Sequence, residues 1–196
     1  MNSTEIKKEE KNKTPNRRTD SHILDIAYIA MFAAVITVCA QIQVPTTVPF
    51  TLQTLGVFVA GGMLGWKRGT VSVLLYILLG LVGIPVFAGF SGGVDALFGN
   101  TGGYIIGFIF TALIVGFMCD KLGRKLWVLA VSMILGLLVC YAFGTAWFMV
   151  VYSANTGAID LMTALSWCVI PYLLFDAAKI VCATILVNRL DKIIKL

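Results

Sequence analysis

Charge is scarce in this sequence, histidine nearly absent, and neither cysteine pairs nor a nucleotide-binding loop can be found. Charged residues make up 13% of the 196 residues while apolar ones make up 59%. Half the usual charge on so apolar a chain excludes a water-soluble domain built round one core. The length suits a single membrane-embedded bundle rather than several domains. The five cysteines (Cys39, Cys119, Cys140, Cys168, Cys182) are odd in number and far apart. Without a CxxC pair they read as small buried hydrophobes rather than disulfide partners or metal ligands. The one histidine, His22, precedes the first apolar run, so no histidine and cysteine set exists for a transition metal, and no cofactor is expected. No Walker A sequence occurs, which excludes a P-loop ATPase acting alone. The first apolar run lacks a small-residue cleavage site and is expected to stay as a helix rather than leave as a signal peptide.

What is present is a partition of charge. Six apolar stretches run over about 23–42, 48–66, 70–84, 103–118, 126–152 and 161–187. Most approach the roughly 20 residues that span a bilayer. The expected architecture is an all-α membrane protein, a six-transmembrane-helix bundle over residues 21–196. Residues 1–20 carry Lys7, Lys8, Lys11, Lys13, Arg17 and Arg18 among acids and polar groups, and read as a disordered cytoplasmic tail. Lys67 and Arg68 follow the second stretch; Lys121, Arg124 and Lys125 follow the fourth; Arg189, Lys192 and Lys195 close the chain. Fourteen of the fifteen basic residues thus fall on one side, cytoplasmic by the positive-inside rule, with both termini there. The net charge of +5 is therefore a membrane-topology signal, and no nucleic-acid partner is expected.

The fifteenth basic residue is Lys179, inside the last apolar run and three residues after Asp176. At helical spacing the two share a face and can touch each other or one ligand. Each charge costs about 2.5–3.5 kcal/mol at a membrane helix centre on insertion scales, so both belong in a protected interior. A packing ion pair and a solute site both fit.

Other segments supply candidate partners. Residues 43–54 carry Pro45 and Pro49, which stop regular helix and make an uncharged outer lid, and Gln53 just beyond can bond a neighbouring helix or a ligand. Pro85 to Phe90 is apolar but irregular, a re-entrant candidate tolerable only under a cover of protein. The glycine-rich 90–104 segment brings Asn100, Thr101 and Tyr104 as donors and acceptors. Trp147 fits an interface anchor or a pocket wall. Ala27, Ala30 and Ala34 form a small-residue stripe suited to internal packing or to docking another subunit; Gly61, Gly65, Gly69, Gly99, Gly103 and Gly107 repeat that spacing and read as internal packing.

Catalysis finds little support. Gly89-Phe90-Ser91-Gly92-Gly93 fits a G-x-S-x-G elbow, but a serine nucleophile needs a base. His22 lies on the cytoplasmic side, which leaves Lys179 as the only candidate. An intramembrane serine hydrolase is thus the enzyme alternative to a binding or transport protein, and a scaffold without a ligand is a third. A site of Asp176, Lys179, Asn100 and Gln53 offers an acceptor, a cation and two amides, suited to a small ligand with N–H donors and a carboxylate.

Five segments in order carry a family resemblance: Val48-Pro49-Phe50-Thr51-Leu52-Gln53-Thr54-Leu55-Gly56, Gly83-Ile84-Pro85-Val86-Phe87-Ala88-Gly89, Gly102-Gly103-Tyr104-Ile105-Ile106-Gly107-Phe108, Gly144-Thr145-Ala146-Trp147-Phe148, and Pro171 through Lys179. Together they resemble the BioY family, the biotin-binding S components of energy-coupling factor (ECF) transporters. The resemblance covers 23–190 and implies a multi-pass protein of the prokaryotic plasma membrane that takes up biotin with a transmembrane T component and two cytoplasmic ATPases. It implies that Asp176 and Asn100 pair the ureido ring, that Trp147, Tyr104 and Phe87 wall the fused rings, and that Ala30 and Ala34 dock the T component. Lys179 either holds the ligand carboxylate or neutralises Asp176. An S component for thiamine or riboflavin is the alternative within transport.

Overall fold

The computed structural model of the chain describes residues 17–44 and 50–193. Most of the expected tail, and the crest of the proline loop at 45–49, lie outside the described residues. The described chain is mostly helical. Helix α1 is Arg17–Gln41, followed by a short antiparallel ribbon of β1 (Gln43–Val44) and β2 (Phe50–Thr51) in the register Gln43 to Thr51 and Val44 to Phe50. Then come α2 (Gln53–Leu81), a one-turn 3-10 segment at Ala88–Phe90, and the short α3 (Val94–Phe98). The remainder is α4 (Gly102–Leu122), α5 (Leu126–Asn155), α6 (Leu161–Cys168), a second 3-10 turn at Ile170–Tyr172, and α7 (Leu173–Ile193). Among the described residues, five segments are long and apolar enough to cross a membrane: His22–Gln41, Gln53–Leu81, Gly102–Leu122, Leu126–Asn155 and Leu161–Ile193.

Helix α2 is not straight. At Gly65 the backbone takes φ 75° and ψ −175°, and the chain reverses there. Gln53 Nε2 consequently donates to Tyr76 Oη at 2.5 Å. In a straight helix those residues would stand about 34 Å apart. The bend is secured by acid and base. The Asp120 carboxylate accepts from the Trp66 backbone N–H at 3.0 Å, and Arg124 donates to the carbonyls of Gly62 at 2.6 Å and Met63 at 2.9 Å. Those carbonyls end a helical segment and lack intrahelical partners, so a cation satisfies both their hydrogen bonding and the negative helix end. The sequence pattern put this break at Lys67 and Arg68; it falls two residues earlier because only glycine enters the left-handed region without steric cost.

The last apolar run is also interrupted. Pro171 has no N–H and sits in the turn that separates α6 from α7, so Asp176 lies in the first turn of a new helix rather than in mid-span. There the positive helix end favours a carboxylate.

Packing follows the small residues. A Cβ on Gly61 would stand 3.0 Å from the Ala112 carbonyl oxygen, so α2 and α4 meet nearly backbone to backbone. Phe32, Ala33, Ile36 and Ala40 carry α1 into the core, whereas Ala27, Ala30 and Ala34 lie on its exposed face. At the end of the bundle nearest Gly65, Arg68 pairs with Asp25 at 2.7 Å and Arg124 with Asp191 at 3.1 Å. At the other end lie the ribbon, the 82–101 connection and the α5–α6 turn.

Gly65→Ala is expected to lower the midpoint of thermal unfolding in detergent by more than Gly123→Ala. Both positions have positive φ, but only at Gly65 does the new Cβ fall 2.5 Å from the Asp120 carboxylate oxygens. Strain alone is worth about 1–3 kcal/mol; equal losses in the two variants would show that the Asp120 contact adds nothing.

Candidate functional site

Residues of β2, α2, the 87–101 connection, α4, α5, α6 and α7 converge at the end opposite the basic rim and enclose a cavity of about 300 Å³. That is the small end of the roughly 300–1,000 Å³ typical of small-molecule pockets. Its deepest polar feature is Asp176, 3% exposed, beside Lys179, 6% exposed. Their spacing along α7 brings Lys179 Nζ to 2.7 Å from Asp176 Oδ1. Two further helices supply donors: Thr54 of α2 reaches Oδ1 at 3.2 Å, and the Tyr141 hydroxyl of α5 donates to Oδ2. An ionised carboxylate has about four acceptor positions. Three are occupied, which leaves room for one more donor.

Lys179 is held on its other side as well. Its ammonium lies 4.4 Å from the centroid of the Phe50 ring, a cation–π contact that replaces some of the lost hydration. Phe50, from β2, packs against Phe175 at 4.6 Å and Tyr172 at 6.2 Å, so the ribbon is fastened over α7. The charge pair is thus neutral as a unit and closed off by aromatic rings.

The facing wall is apolar with a few polar tips. Phe87 is buried edge-on to Tyr76, with ring centroids 5.4 Å apart, and the helix beneath it carries Gly80, where a Cβ would strike the ring at 2.1 Å. Tyr104 of α4 hydrogen-bonds Thr145 of α5 at 3.0 Å, and Gly144 leaves the space its ring needs. Gln53 lines the cavity while bonded to Tyr76, so its helix-bonding and wall roles coexist.

Of the residues singled out in the sequence, Asp176, Lys179, Gln53, Tyr104 and Phe87 lie together on the cavity wall. Asn100 and Trp147 do not. Asn100 sits in the turn whose neighbours Gly99 and Thr101 line the cavity. The Trp147 indole donates to the Gly99 carbonyl at 3.1 Å and packs near Phe98 and Phe143, supporting that turn from behind. The reason is helical phase: Tyr141, Thr145 and Phe148 share the buried face of α5, and Trp147 falls outside that stripe. Tyr141, Thr54, Phe50 and Tyr172 were not anticipated. A signal existed for Tyr141 in its four- and seven-residue spacing to Thr145 and Phe148; for Phe50 and Tyr172, which depend on the ribbon folding back, there was none.

The geometry also bears on the serine. Ser91 is on the wall, but its hydroxyl donates to the Ala88 carbonyl at 2.8 Å. The Lys179 ammonium is bound to a carboxylate and is not a free amine base. Among the described residues no free base is placed to activate this hydroxyl.

Apolar helices of membrane-crossing length around a small cavity with a buried polar pole fit a membrane protein that binds a small solute. The chain belongs to the BioY family, whose model matches residues 10–196. It is 42% identical to the biotin transporter BioY of Thermotoga maritima, over 83% of this chain and 93% of that protein. It is 40% identical to a probable biotin transporter BioY of Pyrococcus horikoshii, over 85% of this chain and 96% of the relative. A crystal structure of the S-component for biotin from an ECF-type ABC transporter superposes with a TM-score of 0.79 at 29% identity, covering 91% of this chain and 95% of the other. The family is a transport component and not an enzyme.

Removing one partner of the buried pair is expected to destabilise more than removing both. Lys179→Met strands the Asp176 carboxylate, at a cost of about 3–5 kcal/mol, and adding Asp176→Leu should recover most of it. Thermal unfolding of the two variants checks this; a double variant no more stable than the single would mean that the pair is not coupled.

Proposed function

We propose that this protein is the biotin-binding S component of an ECF transporter, taking biotin from the outer face of a prokaryotic plasma membrane. It works with a transmembrane T component and two cytoplasmic ATPases, and the exposed Ala30 and Ala34 face of α1 is where it meets the T component. The observation that carries the reading is the neutral Asp176–Lys179 unit at the closed pole of a cavity otherwise lined by aromatic and aliphatic groups. A ureido ring has two N–H donors and one carbonyl acceptor. The free position on Asp176 takes one N–H, and the Lys179 or Tyr141 side chain turns to the carbonyl. Tyr104 and Phe87 take the fused rings and the start of the valeryl chain. Trp147 acts indirectly, by holding the 99–101 turn that carries Asn100 and forms part of the wall.

The topology that fits this role has six crossings, counting the two antiparallel halves of α2 separately, with both termini on the cytoplasmic side. The reversal at Gly65 supports the count. The pairing of Arg68, Arg124 and their acids at one end, with the cavity at the other, supports the orientation. The two α2 halves, residues 53–64 and 66–81, are about 18 and 24 Å long and so fall short of a 30 Å hydrocarbon core. The 85–91 segment, buried at Val86 and Phe87, and the ribbon make up the outer part of the wall.

Titration of the purified protein with biotin, thiamine and riboflavin, followed by tryptophan fluorescence, is expected to give saturable binding with biotin alone; saturation by one of the others instead would overturn the assignment. Lys179→Ala is expected to weaken biotin and biotin methyl ester equally, because Lys179 serves Asp176 and the ring end of the ligand rather than its carboxylate. A loss confined to biotin would place the ligand carboxylate on Lys179.

A further inference from the structure

The cavity has a second acid. Asp95, in α3, lies on its wall but is exposed, as is Ser91 beside it, whereas Asp176, Lys179 and Tyr104 are buried. Asp95 therefore marks the solvent-facing rim and Asp176 the closed pole. The two acids differ in another respect. Asp176 is neutralised by Lys179, while Asp95 has no ion-pair partner among the described residues. Every other lysine and arginine whose side chain is described, from Lys67 to Lys192, belongs to the opposite end of the bundle or its flanking loops. The cavity as a whole thus carries one net negative charge, and that charge sits at its mouth.

This arrangement constrains the ligand's tail and rests on the biotin reading. With the ureido ring held at the closed pole, the valeryl chain has one way to extend, toward the rim. A free carboxylic acid is ionised at neutral pH, since its ordinary pKa is about 4. Its negative charge then faces Asp95 with no cation among the described residues at the rim to offset it. We propose that Asp95 is a specificity-determining residue that disfavours the free carboxylate and favours biotin whose carboxyl group is capped as an amide, so that the site accepts biotin amides at least as readily as free biotin. Recognition is then concentrated in the ring, and the rim discriminates by charge. Because the rim is wet, the repulsion is moderate and acts through salt-screened Coulomb forces rather than through contact.

The test compares biotin with biotinamide on the whole protein in detergent. The wild type should bind biotinamide about threefold or more tighter than biotin at about 0.01 M ionic strength, and the gap should narrow near 0.15 M as the Debye length falls from about 30 to about 8 Å. Asp95→Asn should tighten biotin about three- to tenfold and leave biotinamide within about twofold, with Asp95→Lys going further in the same direction. A biotin-to-biotinamide ratio unmoved by salt and by either substitution would overturn the role of Asp95 while leaving biotin as the ligand. Failure of the wild type to bind either compound would instead remove the biotin reading and this inference with it. The salt series needs no variant, so the proposal is exposed to failure even if a substituted protein does not fold.

Discussion

One buried carboxylate sets the register of three helices. Asp176 sits in apolar surroundings where a lone charge is costly by several kcal/mol, so its stability depends on every donor that reaches it. Lys179 comes from its own helix, Thr54 from α2 and Tyr141 from α5. A one-residue slip in any of these helices would turn its donor away by about 100° and leave the carboxylate short of a partner. Apolar contacts between membrane helices resemble their contacts with lipid and specify register weakly. The polar constellation that suits a ligand is also what selects one arrangement of the bundle.

The opposite end is tied by a cation in a similar way. Arg124 bonds the last carbonyls of the first half of α2 and the Asp191 carboxylate of α7, while Asn188 returns a hydrogen bond to the Arg124 carbonyl at 3.0 Å. The first half of α2 and α7 run in the same direction, with Thr54 and Asp176 joined at one end and Gly62 and Asp191 joined through Arg124 at the other. Beside the Arg124 end Gly62 packs against Val187, where an added Cβ would stand 3.1 Å from the valine methyls. Polar fastening at both ends keeps the apolar middle in place, and it leaves the cavity open only away from the basic side.

Some of this was legible in the sequence because charge in an apolar chain is informative. The basic residues partition by side with Lys179 as the exception, and that exception lies at the closed pole of the cavity. The irregular glycine and proline segments likewise marked the walls, since non-helical backbone survives in a membrane protein only under cover. What could not be read depended on where individual helices stop and how they are rotated. Gly65 is one glycine among several in its stretch, and nothing local distinguishes it until Asp120 and Arg124 are brought to the bend. Pro171 did announce an interruption, but the apolar run continues past it and hides the new helix start at Leu173. The resemblance suggested Trp147 as a wall and Asn100 as a ring partner, whereas rotation of α5 sends the tryptophan behind the turn that carries Asn100.

The use of irregular backbone for part of the wall has a physical reason. A helix presents side chains obliquely at fixed intervals, so it cannot freely aim a single ring into the bundle. The 85–91 segment can, provided its backbone groups find partners. Gln41, at the end of α1, supplies several: its amide nitrogen donates to the carbonyls of Val86 at 3.3 Å and Phe87 at 3.1 Å, and its amide oxygen accepts from the Phe90 N–H at 2.9 Å. The Phe87 N–H is taken by the Ser91 carbonyl at 3.0 Å. With those groups satisfied Val86 and Phe87 can be buried, and Phe87 can stand over Gly80 and Tyr76 as part of the ligand wall. A side chain with both donor and acceptor is needed at position 41, because the segment exposes carbonyls and an N–H to the same neighbour. A charged residue there would satisfy one kind and strand the other, which is why an amide, at the junction of the first helix and the outer ribbon, completes a site whose ionic chemistry lies at the far side of the cavity.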